Sequence, residues 1–512
     1  MPKYTGGKFP KGWSFDLDDA IILPGFTEKD ATYQNVDLST KLTDKIVLRY
    51  PFIAAAMSCV TGEEMALECA KNGVMAVVPR SFSMEYQTDI IRKVKENEVK
   101  KGEIEFNENP VMVKDIRKKI KDAVDLYNEY GHSNIPICDD FRVLKGIFRY
   151  RDDLPSDYLD MPLTDAIEKA KNDNFLREII KPFDKKTSKR GTDYFLVTDS
   201  KEYIEKEMKE KRLKAIPVIR DDGIIERLVF VHEYPGYYVG GAIHTYPGWE
   251  KRTEMLVEAG ADMIFIDTSD ARSKFVLEVV EKFKKKYPDI PLCAGNVVSG
   301  EGYKELVMAG ADVVKVGMGS GNACITSERR GVGRGLLTAL VDVFEAKEEM
   351  NEAYKKPIIA DGGIGVRVIK TIPIGDITAR IYELNPSSIT KALMFSDAVM
   401  CGTLANMFEE AAGRTIMFEG KRYKERWGEG SLKGISLARY GIDESVRRGL
   451  IEEGVADLVN VVGRLKPNLE KIFLNVALTI GNNCGAKNLE EFRSKAQFEL
   501  LSPNAWRKTG VD

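Results

Sequence analysis

The residue of this chain best suited to covalent chemistry is a cysteine on a glycine-rich loop. In Gly317-Met-Gly-Ser-Gly-Asn-Ala-Cys-Ile-Thr326 the glycines at 317, 319 and 321 permit tight turns and close approach of backbone to a ligand. Cys324 follows on the loop, where a thiol is open to attack an electrophilic ring carbon, and sulfur is the strongest nucleophile of the common side chains. The other cysteines stand singly at 59, 69, 138, 293, 401 and 484, with no Cys-x-x-Cys pair. Neither a zinc site nor a disulfide framework is expected, and a reducing, cytoplasmic setting follows. Cys69, Cys293 and Cys401 sit in helical or strand patterns and read as small buried hydrophobes. His132, His232 and His244 are too few and too scattered for a histidine-rich metal site, and read as ordinary surface or loop residues.

Two glycine turns form a second group. Asp361-Gly-Gly-Ile364 and Cys401-Gly-Thr403 each end an apolar run. Backbone amides at Gly362, Gly363, Gly402 and Thr403 are candidates for a phosphate cradle, and Asp361 for accepting hydrogen bonds from a ribose diol. Nucleophile, ribose acceptor and phosphate cradle together describe a mononucleotide site. Two further runs end in Asp267-Thr-Ser-Asp270 and in Gly295-Asn296.

Such residues must be carried to one place by a scaffold. Eight short apolar runs, rich in β-branched residues, read as buried strands: 52–57, 73–79, 236–243, 263–267, 291–295, 313–317, 357–361 and 397–402. Helical patterns at 62–71, 84–94, 252–259, 273–285 and 300–309 lie between them. Alternation of this kind implies a parallel sheet with helical crossovers, and eight units specify a (β/α)8 TIM barrel. One echo supports it: Ala259-Gly-Ala-Asp262 precedes one run and Ala309-Gly-Ala-Asp312 another, 50 residues apart, although a doubly wound sheet would give the same alternation. In such a barrel the strand C-termini converge, which gathers all the candidate residues on one face.

Residues 105–234 break the rhythm, so the chain divides into 1–104 (first part of the barrel), 105–234 (an insertion) and 235–512 (the remainder, with the cysteine loop). The insertion has its own repeat. Asn134-Ile-Pro-Ile-Cys-Asp-Asp140 leads into 144–148, and Ala215-Ile-Pro-Val-Ile-Arg-Asp-Asp222 leads into 227–230. Each is strand, acidic turn, strand, behind an amphipathic helix at 113–130 or 200–211. This resembles a pair of cystathionine-β-synthase (CBS) modules, and the resemblance implies a site for an adenine or guanine nucleotide, with a purely structural insertion as the alternative.

At 512 residues the chain suits one large domain and a smaller one. With 43% hydrophobic and 30% charged residues and a formal charge of -3, it offers no basic surface for nucleic acid or an acidic membrane. Its polar start is unlike a signal peptide, and no stretch has the apolar length of a membrane span.

The loop 317–326 resembles the catalytic cysteine loop of the IMP dehydrogenase/GMP reductase family. Phe15-Asp-Leu-Asp-Asp-Ala-Ile-Ile-Leu-Pro24, Gly295-Asn-Val-Val298, Asp361-Gly-Gly-Ile364 and Trp427-Gly-Glu-Gly-Ser431 are similar to other segments of it, and the resemblance covers nearly the whole chain. It implies a homotetramer that oxidises IMP to XMP with NAD⁺. Cys324 would form a thioimidate, with Thr326 placing the water and an Arg439-Tyr440 pair and Glu453 serving its hydrolysis. Asp267, Thr268, Ser269 and Asn296 would meet the cofactor. Asn322, Asp361, Gly362, Gly363, Gly402, Thr403, Arg426, Gly428, Glu429 and Gly430 would meet the nucleotide. Ala55 and Asn322 replace family serines, Arg426 replaces a tyrosine that commonly meets the phosphate, and about 20 residues near 366–388 are additional. The terminal Asn504-Ala-Trp-Arg507 lacks the family's Glu-Gly-Gly, which counts against potassium activation and leaves the carbonyls of Gly319, Gly321 and Cys324 as the remaining ligands for such an ion. Rival readings are a GMP reductase using NADPH, which needs no Arg-Tyr pair, and a nucleotide sensor that has lost catalysis.

Overall fold

The computed structural model describes residues 1–512 except 152, 235, 320–330, 375–376, 432–455 and 503–512. The chain divides into two compact units: Met1–Glu98 with Tyr237–Leu465 and Lys471–Asp512, and Val99–Gly236 with Lys466–Glu470.

The first unit holds the eight expected strands: β1 (Phe52–Ala54), β2 (Met75–Val78), β3 (Val239–Ile243), β4 (Met263–Asp267), β5 (Leu292–Val297), β6 (Val313–Val316), β7 (Ile358–Asp361) and β8 (Ala398–Cys401). All pair in parallel, and β3 pairs with β2 as β8 does with β1, which closes the barrel. Inward residues fill it: Ile53, Met75, Val77, Ala242, Met263, Phe265, Cys293, Val313, Ile359 and Met400 form one cluster. The hairpin Thr40–Thr43/Ile46–Leu48 contributes Leu42, Ile46 and Leu48 to the same cluster. The glycine pair of β3 shows how the sequence fits this packing. A Cβ on Gly240 would lie 2.6 Å from the Phe265 ring, and one on Gly241 would lie 2.9 Å from Leu256. Missing side chains there make room for a ring inside the barrel and for a leucine of helix Trp249–Glu258 outside it.

The Ala-Gly-Ala-Asp echo has a structural meaning. Asp262 accepts the Val239 amide at 2.8 Å and pairs with Lys95 at 2.9 Å. Asp312 accepts the Leu292 amide at 2.9 Å and pairs with Lys284 at 2.8 Å. Asp397, at the start of β8, repeats the arrangement with the Ile358 amide at 2.8 Å and Lys347 at 3.2 Å. Each aspartate therefore latches the foot of the preceding strand to a lysine. Two helices begin elsewhere than the apolar pattern implies. The one expected at 252–259 starts at Trp249, directly after Gly248, whose φ of 98° breaks the chain there. The one expected at 113–130 is Ile120–Tyr130, because Val113 bridges Ile137 in parallel and its backbone is taken by Pro136 and Cys138.

The second unit is two copies of one motif offset by 81 residues. Helix Ile120–Tyr130 and hairpin Asn134–Cys138/Leu144–Arg149 correspond to helix Lys201–Glu210 and hairpin Ala215–Ile219/Ile225–Val231. Both hairpins shift register at the same place, Ile137/Cys138 and Val218/Ile219. Both copies turn left-handed at the same two positions, Gly131 (φ 69°) with Arg212 (φ 52°), and Arg142 (φ 63°) with Gly223 (φ 84°). The turns meet at an antiparallel bridge, Val143 to Ile224.

Candidate functional site

Polar side chains converge where the parallel strands end. Lys315 lies in the middle of the apolar run Val313-Val-Lys-Val316, and its inward side chain is 6% exposed. Its Nζ lies 2.6 Å from Asp361 Oδ2 at the end of β7. The same oxygen accepts from Asn296 Nδ2 at 3.0 Å, and that amide also donates to the Gly317 carbonyl at 2.6 Å. Burial alone would push the Lys315 ammonium down, but the carboxylates of Asp361 and Asp267 hold it above the ordinary lysine range. Gly317 is obligatory here: its φ is 140°, and a Cβ would fall 1.9 Å from the Asp361 carbonyl oxygen.

On the next strands, Arg80 Nε lies 3.2 Å from Asp267 Oδ2, and Thr268 Oγ1 donates to the Gly295 carbonyl at 2.9 Å. Ser269 follows exposed. Asn296 Oδ1 is buried with no donor among the described residues, and so is the Ser273 hydroxyl. An orphaned amide oxygen beside Asp267 and Thr268 fits a ligand carrying hydroxyl or amide donors, as a nicotinamide ribose does.

The two turns expected to cradle a phosphate follow neighbouring strands, since Asp361 faces Met400 in the register. Gly362 and Gly363 have φ of 110° and 71°, and a Cβ on Gly402 would lie 2.7 Å from Met57 Sδ. Thr403 Oγ1 accepts from Arg426 Nη1 at 2.8 Å. Beyond Trp427, Gly428 accepts both the amide and the hydroxyl of Ser431, with Gly430 between them. Glu429 accepts the Ser58 amide at 2.6 Å and its hydroxyl at 2.7 Å, tying this segment to the loop after β1.

The expected residues thus fall into three adjoining groups: Asp267, Thr268, Asn296 and Asp361; the glycine turns with Thr403 and Arg426; and Gly428, Glu429 and Gly430. Gly319 follows β6 with φ of 80°. Gly321, Asn322, Cys324, Thr326, Arg439, Tyr440 and Glu453 lie outside the described residues. The six described cysteines are all buried. Burial pushes Cys59, Cys138 and Cys293 up to about 12 and Cys484 up to about 11, with Cys69 and Cys401 also raised.

Sequence reading passed over Lys315, Arg80, Ser58 and Asp457. For Lys315, Arg80 and Asp457 the available signal was a charge inside or directly after an apolar run, which is costly unless paired. Two of the histidines read as surface or loop residues lie on loops but away from the surface: His232 is 2% exposed, and His244 is half-buried directly after β3. Burial first, then the guanidinium groups of Arg80 and Arg252, push His244 down to about 4. The unfolded chain takes up that proton near pH ~6.5, so it binds more protons than the fold between there and about 4. The stability contribution is therefore complete above pH ~6.5 and is lost as pH falls through that window. His244→Gln is expected to flatten this limb in urea unfolding followed against pH. A wild-type-minus-variant difference that stays constant across the window would exclude the assignment.

A closed (β/α)8 barrel with its polar network at the strand C-termini defines a barrel enzyme. The sequence matches the profile described as "IMP dehydrogenase / GMP reductase domain" over residues 13–381 and 383–511, and the chain belongs to that family. It is 32% identical to inosine-5′-monophosphate dehydrogenase of Aquifex aeolicus, over 98% of this chain and 96% of the relative. The enzyme of the same name from Tritrichomonas foetus is 31% identical, over 95% and 93%. A crystal structure of a GMP reductase from Trypanosoma brucei in complex with guanosine 5′-monophosphate superposes with a TM-score of 0.63, covering 98% of both chains at 23% identity, a likeness of fold. Relatives of this kind make the chain an oxidoreductase. No helix among the described residues is long and apolar enough to cross a membrane.

Proposed function

We propose that this protein oxidises IMP to XMP with NAD⁺, the committed step of guanine nucleotide synthesis. The observation that carries the reading is similarity to IMP dehydrogenases along nearly the whole chain, with Cys324 and Arg439-Tyr440 both in the sequence. Cys324 adds through its sulfur to C2 of the hypoxanthine ring. NAD⁺ serves as acceptor of the hydride that leaves C2. Water then adds to the thioimidate carbon, the C2–S bond breaks, and the thiol is regenerated as XMP leaves. Asp361, fixed by Lys315 and Asn296, retains lone pairs for the ribose diol. Gly362, Gly363, Gly402 and Thr403 hold the phosphate, and Gly428, Glu429, Gly430 and Asn322 face the nucleotide. Asp267, Thr268, Ser269 and Asn296 hold the nicotinamide ribose. Thr326 places the water, and Arg439, Tyr440 and Glu453 serve its deprotonation. Arginine is a weak base unless its site excludes water, so this duty belongs to a closed state.

The same reading gives a cytoplasmic homotetramer, an insertion of CBS type that takes an adenine or guanine nucleotide, and potassium at the carbonyls of Gly319, Gly321 and Cys324. The insertion's two equivalent left-handed turns support the CBS assignment.

Purified protein with IMP and NAD⁺, with and without potassium, should form NADH and XMP. NADPH consumption with GMP would make it a reductase, and silence in both assays would favour a sensor. Arg439→Ala should slow hydrolysis more than hydride transfer, so a burst of NADH precedes a slow steady state in stopped flow. Equal slowing of both steps would remove the assigned role.

A further inference from the structure

Between β7 and β8 the chain makes an antiparallel hairpin, Gly365–Ile374 against Ile377–Asn385, that barrel closure does not require. It joins a five-stranded sheet with Lys421–Trp427 and Ala456–Asn460, placing Ala379 beside Leu458 and Arg380 beside Val459. Inside that sheet Arg426 is completely buried. Its Nε and Nη2 reach the two oxygens of Asp457 at 2.8 and 2.5 Å, and Nη1 reaches Thr403 Oγ1 at 2.8 Å. The hairpin supplies the rest of the setting. The Tyr382 ring lies 5.2 Å from the Arg426 guanidinium carbon, and Arg380 Nη1 lies 3.1 Å from Asp457 Oδ2. Asn460 pins Tyr382 by bonding both its amide and its carbonyl.

A threonine hydroxyl carries one proton. Because Thr403 accepts from a cationic donor, its own proton is left to be donated elsewhere. Arg426 exposes no surface, so a ligand seated at Gly402 and Thr403 does not touch it. We propose that the inserted hairpin belongs to the phosphate subsite as its backing: Tyr382 and Arg380 hold the Arg426–Asp457 pair, which presents Thr403 as a hydrogen-bond donor to a nucleotide 5′-phosphate. This rests on the mononucleotide reading above and changes one part of it. Arg426 is a positioning residue acting through Thr403, where the tyrosine it replaces in the family would meet the phosphate directly.

The test is a double-mutant cycle read by calorimetric binding of IMP and GMP, each beside its nucleoside, to the full chain. Thr403→Val should weaken the monophosphates about tenfold and leave the nucleosides nearly unchanged. Arg426→Lys should do the same, and adding it to Thr403→Val should cost nothing further. Additive losses would mean that Arg426 itself contacts the phosphate, and would overturn the proposal. Should Arg426→Lys fail to fold, Arg380→Gln changes a side chain that is 28% exposed. A loss of about threefold is expected for it, confined to monophosphates and absent from the Thr403→Val background. An equal loss for nucleosides, or none for either, would also overturn the proposal. NADH formation with an additive cycle would refute the backing role alone. Monophosphate preference with a non-additive cycle but no NADH would refute the dehydrogenase alone.

Discussion

Cys324→Ala is expected to abolish NADH formation from IMP and NAD⁺ while IMP binding remains measurable. The expected loss is on the order of 10⁴-fold or more in kcat, the scale on which removal of a nucleophile acts. No described cysteine stands ready to replace it. All six are buried, and burial raises each thiol, so their thiolate fraction near neutral pH is negligible. Binding should survive because the groups assigned to ribose and phosphate come from other strands. The measurements are a spectrophotometric assay and a calorimetric titration of the same preparation. Normal turnover in the variant would remove the covalent route and with it the case for this enzyme.

Lys315→Met is expected to destabilise the barrel by about 3–5 kcal/mol, because it strands the Asp361 carboxylate beside apolar strands without its cation. Lys315→Met combined with Asp361→Asn should recover much of that loss, since removing both charges of a buried pair is often near neutral. Urea midpoints of the barrel transition measure both effects. The single variant should also lose IMP affinity, because Asp361 is fixed by Lys315 and Asn296 together. A single variant as stable as the parent, or a double variant no better than the single, would show that the pair holds nothing in place.

The barrel could be read from the sequence because its strands are buried on both faces. Such strands appear as unbroken apolar runs such as Met263–Asp267, and in five of the eight a glycine or acid ends the run and marks the functional face. Lys315 escaped for the same reason, as one charge inside an apolar run looks like a flaw in the pattern until Asp361 is placed opposite it. Val113 was assigned to a helix because its spacing allows one, yet pairing with Ile137 took its backbone groups. Arg426 was legible as a departure from the family, but its role was not. Asp457, Thr403 and Tyr382 come from three separate elements, and no local pattern links them.

The three aspartate latches carry a consequence for how such a chain diversifies. They lie at the feet of β4, β6 and β8, at the end opposite the candidate site. Mutations more than about 7–10 Å apart with no shared partner act almost independently on stability. Loops on the other rim can therefore lengthen, shrink or be replaced while the closure of the cylinder is left alone. The hairpin Gly365–Asn385 stands on that rim between two neighbouring strands, and the latch at the foot of the second is closed. In this architecture the geography of the ion pairs decides where evolution can experiment.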